Sequence, residues 1–180
     1  MKEIKEIPVE VEGAGVTPQV KNILSKVLGI AQVVFSESKE LPPVFFFGDA
    51  NTGNFSLIET IFDNDHAKDT FTSFAKDVCK KNRASFALFV SESWSLAQIK
   101  PEDYDEWLLA NPGKNISEHK DAKEIVMVML ETLHGTWLAA IGIGVDENGD
   151  KYLNLSEVKF SKTQTGGRMA NFLPIKAVNN

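Results

Sequence analysis

Two stretches of this chain carry residues that could do acid-base or metal chemistry together. The first ends the run Ala84-Ser-Phe-Ala-Leu-Phe-Val-Ser-Glu-Ser-Trp94. Side chains of a strand alternate faces, so Phe86, Leu88, Val90, Glu92 and Trp94 share one side. A carboxylate that continues an apolar face is disfavoured in its charged form, and its pKa rises. The second stretch is Ser117-Glu118-His119-Lys120-Asp121, with Glu124 close behind. Histidine serves as base or metal ligand near neutral pH, and carboxylates complete a hard-metal or mixed site. The spacing matches no metal signature, so the metal and any cofactor stay unknown. Glu92 and His119 are the candidate catalytic pair, with Trp94, Glu118 and Asp121 as candidate binding residues. The plainer account is a strand that reaches water at Glu92 and a solvated loop around His119.

Two further motifs fail on their own terms. Gly48-Asp-Ala-Asn-Thr-Gly53 follows a strand, as a phosphate loop does, but Asn54 and Phe55 stand where lysine and a hydroxyl residue belong. A strand pattern follows it, so no helix N-terminus of its own awaits a phosphate. Asp146, Asn148, Asp150 and Glu157 fall at calcium-loop positions, but Lys151 occupies the glycine position. A turn between two alternating strands explains the segment with less.

The elements that must position these residues read as follows. Ile7, Val9 and Val11 alternate with polar residues, and Pro8 places that short strand at an edge. Thr17-Pro18 opens a helix whose apolar residues run from Val20 to Ala31, ending near Phe35. Val44 to Phe47 and Phe55 to Phe62 form a hairpin with a longer loop. Asp63-Asn64-Asp65 cap a helix from His66 to about Lys81, with Phe71, Phe74, Ala75, Val78 and Cys79 as its stripe. The central strand Phe86–Trp94 is apolar on both faces, so both sides need cover. A short helix starts at Pro101. Strands follow from Glu124 to Leu133, Trp137 to Val145, and Tyr152 to Phe160.

At 180 residues the chain supports one domain with a real core. Its net charge of -6 repels a phosphate backbone, so nucleic acid is not an expected partner. The single cysteine excludes an internal disulfide. No apolar run of about 18 residues occurs, so no membrane span is expected. The opening Met-Lys-Glu-Ile-Lys-Glu lacks the apolar stretch of a signal peptide, and a cytoplasmic location is the expectation. Ala140, Gly142 and Gly144 bare one face of a strand. With the aromatics Tyr104 and Trp107 they suggest a covered surface and a homo-oligomer.

Phe89-Val-Ser-Glu-Ser-Trp94, then Ser117-Glu-His-Lys-Asp121 and Glu124-Ile-Val-Met-Val128, resemble an uncharacterised group of prokaryotic and phage-related proteins. Those carry a Phe-Val-Ser-Glu-x-Trp strand and a Ser-Glu-His-Pro-Asp stretch before an apolar strand. Lys120 replaces the proline here. The resemblance covers the central third of the chain and implies that the two stretches belong together; it implies no activity.

The expected fold is α+β: a single mostly antiparallel sheet with the two longer helices on one face and one short helix. Residues 1–163 form the globular domain and 164–180 a C-terminal tail, its end mobile unless it docks. The expected function is a non-catalytic assembly or protein-binding domain of phage or mobile-element origin, self-associating or binding another protein. The alternative is a small metal-assisted or carboxylate/histidine hydrolase. Leu88 belongs to the core on this reading, and Leu88→Ala is expected to cost ~2–5 kcal/mol in denaturant unfolding.

Overall fold

Thr17 starts the first helix by capping it. Its hydroxyl accepts the Val20 amide at 3.2 Å and donates to the Ala50 carbonyl. Pro18 follows at the first helical position, where its missing N–H costs nothing. The structure, a computed structural model, describes residues 4–96, 100–156, 158–164 and 169–174. Helix α1 (Pro18–Ser38) ends where Lys39 turns left-handed at φ 61° and donates its N–H to Phe35 at 2.9 Å. Strands β1 (Val44–Gly48) and β2 (Phe55–Glu59) form the hairpin. Asn64 caps α2 (Asp65–Lys81) by accepting the Ala67 amide, and Lys80 and Lys81 sit at its negative end.

The central strand β3 (Phe86–Ser95) leads through α3 (Pro101–Ala110) and a 3-10 turn at Ile116–Glu118 to β4 (Lys123–Thr132). Strand β5 (Gly135–Val145) returns beside it, followed by β6 (Lys151–Leu153) and β7 (Ser161–Thr163). The sheet order is β2-β1-β3-β4-β5-β6, with β7 also paired to β5. Every one of these pairings is antiparallel. The chain is therefore α+β with a single antiparallel sheet, as the patterning predicts.

The placement of the helices corrects the expectation of one covered face. Helix α1 packs Leu24, Leu28 and Phe35 onto Phe46, Leu88 and Val128. Helix α2 packs Ala75 and Cys79 onto Phe45, Phe47 and Phe89, on the opposite face. The cause lies in the strands: neighbouring residues of β1 and β3 point to opposite sides and are all apolar, so one layer of helices leaves half of them wet. Within α2, Phe74 is exposed and Thr72 takes a buried place. The buried stripe is rotated toward Thr72, whose hydroxyl bonds the Lys68 carbonyl at 2.9 Å.

Two strand expectations also change. Residues 7–11 form no strand. They cross α1 and make one isolated parallel bridge, Glu10 to Lys159, with the segment between β6 and β7. Pro8 offers no donor, the Ile7 amide goes to the Ser25 carbonyl at 3.4 Å, and the Trp137 indole donates to the Glu12 carbonyl at 3.1 Å. Of the expected strand from Tyr152 to Phe160 only Tyr152 and Leu153 are strand, at the end of β6, and β7 begins just beyond the expected range. Asn154 turns the chain between them by accepting the Ser156 hydroxyl at 2.7 Å, and the pairing register with β5 slips. Beyond β7, residues 169–174 dock: Ala170, Phe172 and Leu173 are buried against α2 and β3.

Gly29 shows why the N-terminal segment lies where it does. A Cβ there would sit 2.2 Å from the Lys5 carbonyl oxygen. Helix propensity alone favours alanine by about 1 kcal/mol. Gly29→Ala is nonetheless expected to lose about 1 kcal/mol in denaturant unfolding, because residues 4–7 must lift off α1. A stabilised variant would refute this packing.

Candidate functional site

Cover thins out along β3. Val90 and Ser91 are buried, Glu92 and Ser93 half-buried, and Trp94 exposed. The reason is register: Val90 lies opposite Val44 at the start of β1, so among the described residues the later ones keep β4 as their only neighbouring strand. Pro42 and Pro43 enter β1 at this level, and two clefts open on either side of Glu92.

The first cleft, of about 590 Å³, lies between the end of α1 and the starts of β4 and β6. Its chemistry is ionic. A Glu92 carboxylate oxygen accepts the Leu41 amide at 2.5 Å. The Lys151 ammonium donates to Glu124 at 2.6 Å. Lys39 donates to the Lys151 carbonyl at 3.4 Å and stands 3.6 Å from Asp150. Burial pushes the Glu92 pKa up, the Leu41 amide opposes the rise, and the Glu124 charge adds to it. The hydrogen bond to Glu124 holds the Lys151 pKa above its ordinary value.

The second cleft, of about 610 Å³, lies on the α2 side and is largely apolar. Ile61, Phe62, Phe89, Met127 and Met169 line it. Ile61 is 86% exposed at its rim.

His119 has other company. Its Nδ1 accepts the Asp121 amide at 3.1 Å, with the Asp121 carboxylate at 3.8 Å. Its ring meets Trp107 edge-on at 4.9 Å, and Trp107 stacks on Tyr104 at 6.2 Å. Glu118 accepts the Asn115 amide at 2.8 Å and caps its own turn. Trp94 lies across from Glu124 on β4. Among the described residues no hydrogen bond or ion pair joins Glu92 to His119, and His119 lines neither cleft. The structure gives each an adequate local partner.

Among the described residues no three His, Cys, Asp or Glu side chains converge as a metal site. The Asp146 carboxylate accepts the Asn148 and Asp150 amides at 2.9 Å each, which makes a turn of the calcium-like segment. Glu157 lies outside the described residues. Cys79 is buried, and burial, with Glu131 adding, pushes its thiol up to about 12; it is a core residue.

Sequence reasoning missed Glu131. Its side chain is fully buried, and its two oxygens accept the Asn171 amide at 2.7 Å and the Leu173 amide at 3.1 Å. Burial raises its pKa, and the amides of Leu173, Asn171 and Phe172 oppose the rise. The available signal was the one that marks Glu92: a carboxylate in line with Met127, Met129 and Leu133 on one strand face.

The chain matches no family model, no curated protein and no solved structure.

A carboxyl whose folded pKa is raised contributes its full stability below the unfolded pKa of about 4.3 and loses it as pH climbs through the folded value. Glu92→Gln keeps an acceptor for Leu41 and removes that loss. The variant is therefore expected to gain on the wild type as pH rises from about 4 to about 7. Paired urea unfolding curves across that range measure the difference, and a constant offset would mean that Glu92 titrates normally.

Proposed function

We propose that this chain is a non-catalytic assembly domain that works by binding protein, its own copies included. The observation that carries this reading is the open apolar cleft beside β3, with Ile61 standing 86% exposed at its rim. A folded chain rarely leaves a large aliphatic side chain this bare next to a methionine-lined hollow unless a partner covers both. The ionic cleft on the other side supports the same reading. Its carboxylates are engaged with Leu41 and Lys151, which fixes the end of α1 to the sheet and makes a rigid frame.

Light scattering at micromolar concentration is expected to show a dimer or larger species. Ile61→Asp is expected to weaken association about 10- to 100-fold, the worth of one buried aliphatic side chain, with the unfolding midpoint unchanged. A wild-type monomer would overturn the self-association on which this reading leans.

A further inference from the structure

The two edges of the sheet are built differently. On the β5 side the edge consists of β6 and β7, three residues each, and each carries a lysine, Lys151 and Lys162. Shortness and lysine are the usual defences of an edge against pairing with another chain. The opposite edge is β2, Phe55-Ser-Leu-Ile-Glu59, with no proline, no lysine and one charge at its end. Phe55 is 50% and Leu57 48% exposed.

The hydrogen bonds at the ends of the hairpin settle which backbone groups of β2 face outward. The Thr60 amide donates to Pro43 at 3.2 Å, and the Asn54 carbonyl accepts from Asp49 at 2.9 Å. In an antiparallel ladder bonded residues alternate, so Ser56 and Ile58 bond inward to β1. Phe55, Leu57 and Glu59 direct their N–H and C=O groups away from the sheet.

We infer that β2 is a self-complementary docking edge, which pairs antiparallel with the β2 of a second copy about a two-fold axis at Leu57. That register sets Leu57 against its twin and Phe55 against the second copy's Glu59. The three outward residues of each strand then exchange all their backbone bonds. The two Glu59 carboxylates fall at opposite ends of the ribbon, so no like charges face each other. The Leu57 side chains meet on the face that carries Phe46, and two seven-stranded sheets become one continuous sheet. The inference rests on the assembly reading and names its partner and surface.

Leu57→Pro is the direct test. It removes an outward N–H and leaves the inward bonds of Ser56 and Ile58 in place, as proline on an edge strand allows. It is expected to weaken the dimer about tenfold or more in sedimentation velocity. Leu57→Lys is a second variant that keeps the N–H and is expected to do the same by charge and bulk. Residue-resolved amide exchange supplies a readout of parity. On raising the concentration, the amides of Phe55, Leu57 and Glu59 should gain protection while Ser56 and Ile58 stay protected throughout. A dimer that survives both variants but falls to Ile61→Asp would overturn the edge pairing and leave the assembly reading standing. A wild-type monomer at micromolar concentration would overturn both.

Discussion

The fold depends on a sheet whose middle strands are apolar on both faces. Phe45 and Phe46, Leu88 and Phe89, and Val128 and Met129 are neighbours that point in opposite directions, and all six are buried. Each buried side chain of this size is worth about 1.5–3 kcal/mol, so neither face can be left to water. Helix α1 meets the need on one side along its full length. Helix α2 is shorter and meets it only in part. The remainder falls to Phe62 and to residues 169–174, which approach from distant parts of the chain.

That second layer explains the one carboxylate with no exposure among the described residues. Residues 169–174 bring backbone amides as well as apolar side chains, and those amides need an acceptor in a dry place. Glu131 supplies two oxygens where a leucine or methionine at the same strand position would supply none. The cost of burying its charge appears as a raised pKa, and the three amides offset part of it. Glu131 thus works as the fastener of a surface-crossing segment.

How much of this was legible follows from the range of each interaction. The start of α1 at Thr17-Pro18, the cap at Asn64, and the alternating runs of β3, β4 and β5 are local in cause and were read from local pattern. The antiparallel sheet followed, since short connections join neighbours. Which face each helix takes was not local. The two-sided pattern of β3 held the answer, and the meeting of odd residues with α2 and even residues with α1 makes it visible. The bare stripe at Ala140, Gly142 and Gly144 is accounted for only in part, since a Cβ at Gly142 would meet nothing within 4 Å. The Tyr152 ring lies so close to Gly144 that a Cβ would meet it at 2.5 Å, so an intramolecular contact already accounts for one of the three. Glu92 and His119 were legible as unusual residues, but their separate partners, Leu41 and Asp121, could not be ranked without coordinates.

The docking of residues 169–174 has a consequence for the order in which the chain matures. Synthesis delivers the polypeptide from its N-terminal side at about 5–20 residues per second. The layer beneath α1 draws on residues up to Phe160, all of which precede Ala170 in the chain. The layer beneath α2 has to wait for Ala170, Phe172 and Leu173, and until they arrive Glu131 faces Phe-lined space with no amide to bind. A chain cut short between these two points is half finished in a definite sense. It holds every residue of one layer, while the phenylalanines of the other lack the segment that covers them.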